Sequence, residues 1–132
     1  MIAFLPIRTV SESNQHTHWR ARSHRAKAQR SSAFYGLLST WGRCLYRTRP
    51  CIVTLTRVAP RDLDQGNLEA SLKAVQDGVA DWLEGEYGEG QDRQPGLTWH
   101  YAQRRGGPRE YAVEITVTSE QGHNHGTSSR YP

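Results

Sequence analysis

The chain has 132 residues, 36% of them hydrophobic, with a formal charge of +4 at neutral pH. That length builds one domain around one modest core. No apolar run approaches the ~20 residues that span a bilayer. The opening Met1–Ile7 lacks the basic stretch and small-residue cleavage site of a secretory signal, so a cytoplasmic (cytosolic) location is expected. The charge is unevenly placed. Residues 1–61 carry eleven Lys/Arg, ten of them Arg, against Glu12 alone, for a net of +10; residues 62–132 carry six basic and twelve acidic side chains, for −6. Arginine binds phosphate oxygens in bidentate fashion, so the basic half points to a polyanion, and nucleic acid is the obvious one.

Residues 2–8 read as a short strand marked by Pro6, and residues 9–20 as a polar loop containing His16, His18 and Trp19. From Ser23 to about Tyr46 the pattern is helical, with Ala26, Arg30, Ala33, Leu37, Trp41 and Cys44 in one stripe, widened by Phe34, Leu38 and Leu45. Arg22, Arg25 and Lys27 stand near its start, where the helix dipole favours acids, which points to a ligand for these cations. A break near Gly42 is expected.

Cys51–Val58 is a β-branched run of the kind found in a strand covered on both faces. Asp64 or Asn67 can cap the next helix, expected over 67–84, whose stripe is Leu68, Leu72, Val75, Val79 and Trp82/Leu83. Residues 85–96 form a glycine-rich acidic loop. Leu97–Tyr101 and Tyr111–Val117 alternate with period two and are expected to pair as a hairpin. The polar tail at 119–132 is expected to be disordered. The fold class is α+β, with order β-α-β-α-β-β and a four-stranded mixed sheet packed on helices, forming one domain over residues 1–118.

The chemistry centres on Asp62-Leu63-Asp64, a carboxylate pair between a strand and a helix. With Asp92 from the following loop it can present three oxygen ligands of the kind Mg²⁺ takes, Mn²⁺ being an alternative. Lys73 and Asp77 lie four apart on one helix face, so Lys73 can contact the scissile phosphate with Asp77 orienting it; an ordinary surface pair is the plain alternative. Trp41 and Trp82 belong to the core, while Trp19, beside Arg20 and Arg22, is the aromatic expected to touch DNA or a partner subunit. Zinc would need four coherent ligands, which His16, His18, Cys44 and Cys51 do not supply, and the two thiols are expected to stay reduced.

Asp-Leu-Asp followed by Asn67-Leu68, Lys73, Asp77-Gly78-Val79-Ala80-Asp81, an acidic loop and Leu97-Thr98-Trp99 resembles the RusA-like Holliday junction resolvases, small endonucleases of phage and prophage type. Upstream, Asn14, His18-Trp19-Arg20 and Lys27 fit the same pattern; downstream, Tyr101-Ala102-Gln103 and the 111–117 strand do. The resemblance spans roughly residues 2–118. It implies a Mg²⁺-dependent homodimer that binds branched DNA and makes paired symmetric nicks. The implied catalytic and metal residues are Asp62, Asp64 and Asp92, with Lys73 assisting and Asn67 and Asp77 in support. The implied DNA-binding set is Asn14, Trp19, Arg20, Arg22, Arg25, Lys27 and Arg30.

The family's second Asp stands directly before the Asn, where this chain has Gly66. Two registers remain open. Anchored on Asn67, Asp64 matches the first Asp and Gly66 replaces the second. Anchored on Asp62-Leu63-Asp64, both carboxylates survive and three residues, close to one helical turn, are inserted before the helix. The alternatives to a resolvase are a junction-binding protein weakened in cleavage and a small basic DNA-binding regulator.

Overall fold

The computed structural model describes residues 1–11, 19–44, 51–84 and 96–119. In chain order the elements are β1 (Ile2–Leu5), α1 (Trp19–Trp41), β2 (Cys51–Ala59), α2 (Gln65–Glu84), β3 (Leu97–Arg105) and β4 (Ala112–Ser119). The α+β class and the four-stranded mixed sheet are as the sequence implies, with strand order β1-β4-β2-β3.

The expected hairpin does not form. β3 pairs with β2 in parallel, placing Val53 opposite Trp99 and Leu55 opposite Tyr101. β4 pairs antiparallel with the other edge of β2, placing Leu55 opposite Ile115. Residues 106–111 therefore pass the end of β2 instead of folding β3 back on itself, and the Gly106 N–H is held by the Ala59 carbonyl at 2.9 Å. The cause is β2. It is the longest apolar strand, so it takes the position where both edges are paired, and α2 serves as the crossover that a parallel neighbour requires.

β2 is also not covered on both faces. Cys51, Val53 and Leu55 are buried, whereas Ile52, Thr54 and Thr56 are half-buried on the face away from the helices. The β-branched residues that made the run look continuous belong partly to this open face, where β branching suits the pleat without full burial. The inward rows are completed by Ala3 and Leu5 of β1 and by Val113, Ile115 and Val117 of β4, all buried.

α2 runs from Gln65, two residues earlier than expected. It buries Leu68, Leu72, Val75, Val79, Trp82 and Leu83, the stripe legible in the sequence, each contributing about 1.5–3 kcal/mol. α1 begins four residues before the expected Ser23, so Trp19 and Arg20 lie on its first turn and not in a loop, with Arg22 following on the same helix. It ends at Trp41, with Gly42 at φ 75° and its N–H bonded to the Leu38 carbonyl, a left-handed stop that glycine adopts at no steric cost. Cys44 is buried beyond the helix, not on it, and Ala26 is exposed; the inward residues of α1 are Gln29, Ala33 and Leu37.

The helices meet at Gly78. A Cβ there would collide with the Arg30 carbonyl oxygen and stand 2.8 Å from Ala33 Cβ, so only glycine permits this approach. Beside the contact, Arg30 pairs with Asp81 in bidentate fashion, Nε–Oδ2 2.6 Å and Nη2–Oδ1 2.9 Å. Asp81 is fully buried. Trp82 donates its indole N–H to the Gly42 carbonyl at 2.9 Å, and its ring lies 5.3 Å from that of Trp41. Cys44 and Cys51 are buried free thiols.

Candidate functional site

The acidic segment leaves β2 at Ala59 and enters α2 at Gln65, and its conformation is held from beneath. Leu63 packs against the core, while Asp62 and Asp64 on either side of it are exposed. Gln103 of β3 grips Leu63 by both backbone groups. Its Oε1 accepts the Leu63 N–H at 2.9 Å and its Nε2 donates to the Leu63 carbonyl at 2.6 Å. One residue pair further back, Arg57 of β2 donates Nη1–H to the Arg61 carbonyl at 2.7 Å. The backbone that carries both carboxylates is thus fixed by side chains from two strands.

Asp64 is the helix cap. Its Oδ1 accepts the Asn67 N–H and its Oδ2 the Asn67 side-chain amide, each at 2.9 Å, while its backbone carbonyl accepts the Leu68 N–H. Of the two capping residues the sequence offered, Asp64 does the capping and Asn67 braces it. Asp62 is 48% exposed and meets Arg105 Nε at 3.3 Å. Among the described residues no three His, Cys, Asp or Glu side chains come together as a metal site. The expected third carboxylate, Asp92, lies outside the described residues, as do Asn14, His16 and His18. What the loop offers is two hard oxygen donors on a fixed backbone. That donor set suits Mg²⁺, which binds through one or two carboxylates with waters and phosphate oxygens, and does not suit zinc.

Lys73 is bonded to Asp77 at 3.0 Å on the exposed side of α2. Because α2 already starts at Gln65, Lys73 stands roughly 12 Å along the axis from the helix start. It lines a groove of about 320 Å³ between the helices, together with Arg22, Ser23, Ala26 and Gln29 of α1 and Asp77 of α2. Lys73 thus shares a groove with Arg22, an arginine that the sequence marked for DNA.

The other α1 cations divide. Arg20, Arg22 and Lys27 are exposed and Arg25 is half-buried; the Arg20 guanidinium lies 5.3 Å from the ring centroid of Trp19, which is 62% exposed. Arg30 is different. Its pairing with buried Asp81 commits it to the helix–helix contact, which corrects its place among the DNA-binding residues.

Gln103 and Arg57 are the residues that motif reading missed as supports of the loop. Arg57 shares strand parity with the inward Cys51, Val53 and Leu55, a parity hidden by the reading of this strand as covered on both faces, and is only 6% exposed. Burial lowers its guanidinium from the ordinary arginine range, against opposing pulls from Tyr111 and Asp62. Gly66 lies at the opening of α2, where an added Cβ would meet only Asp64 Oδ1, at 3.8 Å.

Compared with family models, with curated proteins and with solved structures, the chain matches none of them. No helix among the described residues is long and apolar enough to cross a membrane.

Proposed function

We propose that the protein is a metal-dependent endonuclease of the RusA-like type, acting as a homodimer that resolves four-way or branched DNA by paired nicks. The observation that carries this reading is the clamped acidic loop: two exposed carboxylates flank a core-anchored leucine whose N–H and C=O are both held by Gln103. Carboxylates on so fixed a turn are pre-organised for a cation and a phosphodiester.

Asp62 and Asp64, with Asp92, would hold Mg²⁺, which when bound neutralises phosphate charge and lowers the pKa of a coordinated water. Asn67 keeps the Asp64 carboxylate oriented through its amide. Arg20, Arg22, Arg25 and Lys27 bind the sugar–phosphate backbone along α1. Lys73, oriented by Asp77, contacts a phosphate of the strand from the interhelical groove. A twofold dimer would present one such site to each of two symmetry-related strands of a junction.

The test is cleavage of a labelled synthetic four-way junction in Mg²⁺ and in EDTA. Symmetric nicking in Mg²⁺ alone supports the nuclease. A second reading, junction binding without cleavage, is favoured in the register anchored on Asn67, where Gly66 stands at the family's carboxylate position. It predicts tight junction binding, weak duplex binding and intact strands in both buffers.

A further inference from the structure

Beside the acidic loop lies a cavity of about 340 Å³ whose lining includes Arg8, Thr9, Arg57, Arg61, Leu63 and Tyr111. Three of these residues are arginines, and Leu63 is the loop's own anchor. Arg57, buried on the helix side of the sheet, donates Nε–H to Thr9 Oγ1 at 3.1 Å and Nη1–H to the Arg61 carbonyl. No carboxylate among the described residues forms an ion pair with it. Among the described residues, two neutral oxygens account for two of its donor nitrogens, and none is bonded to Nη2. Burying a guanidinium is costly; burial lowers the proton affinity of Arg57, with Tyr111 and Asp62 pulling the other way. Arg8 is exposed, with its guanidinium carbon over the Tyr111 ring, 4.2 Å from the centroid. A cation–π contact of this kind holds the guanidinium in place without a hydrogen bond.

We propose that this cavity binds a phosphate group of the DNA strand, with Arg57 at its base and Arg8 and Arg61 at its rim. The site rests on the nuclease reading only for the source of the phosphate; its recognition chemistry is that of any phosphate oxyanion meeting convergent arginine forks. Because Leu63 joins the cavity to the acidic loop, the strand held here would be the one that passes the carboxylates. Arg57 also supports the Arg61 carbonyl, so a bound phosphate and the position of the loop are linked through one side chain.

The test follows the Arg57 Nε–H signal by side-chain ¹⁵N NMR while wild-type protein in EDTA is titrated with inorganic phosphate, and separately with a short single-stranded oligonucleotide. The Arg8→Gln variant, which touches only the exposed rim, is run beside Arg57→Gln, with circular dichroism to report folding. The expected result is a saturable shift with both probes, reached at lower concentration with the oligonucleotide. Arg8→Gln should weaken oligonucleotide binding roughly tenfold and reduce the slope of log affinity against log salt by about one. A shift with phosphate but none with the oligonucleotide overturns the DNA source. No shift with either probe, or wild-type oligonucleotide affinity in folded Arg8→Gln, overturns the site. Should the wild-type protein show the Arg57 shift with oligonucleotide yet never cut a junction in Mg²⁺, this site stands and the nuclease reading fails.

Discussion

Gln103 and Leu63, forty residues apart, form a closed pair of hydrogen bonds in which one side-chain amide satisfies both backbone groups of the residue between the two carboxylates. Asp62 and Asp64 owe their fixed spacing to that amide. Replacing it with Leu keeps most of the volume and removes both bonds. Gln103→Leu is expected to lower stability by about 1–3 kcal/mol, measured by urea unfolding. Junction cleavage should fall at least tenfold in protein that remains folded at the assay temperature.

Asp64 has two separable duties, because its carboxylate caps α2 and is assigned to the cation. Asparagine caps as well as aspartate does, whereas alanine does not. Asp64→Asn should unfold at the wild-type denaturant midpoint and cut nothing, while Asp64→Ala should lose about 1 kcal/mol in addition. Normal cutting by Asp64→Asn would remove Asp64 from the chemistry.

Gly66 tests the register of the acidic motif. A side chain fits there, with only Asp64 Oδ1 within contact at 3.8 Å. An acid in the first turn also suits the helix dipole, and leaving glycine raises helix propensity. Gly66→Asp is therefore expected to melt at or slightly above the wild-type temperature. A large gain in cleavage rate would make Asn67 the anchor of the motif; an unchanged rate would leave Asp62 and Asp64 as the working pair.

The helix–helix contact gives a stability prediction independent of function. Gly78→Ala drives a methyl into the Arg30 carbonyl and should cost about 1–3 kcal/mol. Arg30→Met leaves the buried Asp81 without its guanidinium. The loss should be about 3 kcal/mol, the lower end for a broken buried pair because Arg30 retains 23% exposure. Thermal unfolding checks both, and junction binding by refolded Arg30→Met should match wild type, since this arginine is turned to Asp81.

Local pattern carried much of this in the sequence, and pairing order did not. The apolar residues of α2 recur at three and four and landed on the core. The alternation of 111–117 located β4. The same alternation in β3 and β4 invited a hairpin, yet period two is silent on which strand lies alongside, and the apolar β2 took the place between them. The start of α1 was missed because Trp19–Arg22 reads as polar loop: its first turns are exposed and carry no inward stripe to detect. At the site, Asp62, Asp64, Lys73 and Asp77 could be named from spacing, while the cap stayed open between Asp64 and Asn67 until the helix start at Gln65 decided it. Gln103 could not be found that way. It is a neutral residue in a half-exposed strand, and its role exists only once β3 lies beside β2. Lys73 lines the interhelical groove beside Arg22, a neighbourhood that spacing along one helix does not reveal.

The account turns on a cation held at the turn between β2 and α2, and anomalous diffraction from a crystal soaked in Mn²⁺ addresses that most directly. The result expected is a peak about 2 Å from carboxylate oxygens of both Asp62 and Asp64, absent in the Asp64→Asn protein. Ordered manganese elsewhere with none on these two residues, or Asp62 still paired with Arg105 at saturating metal, would contradict it.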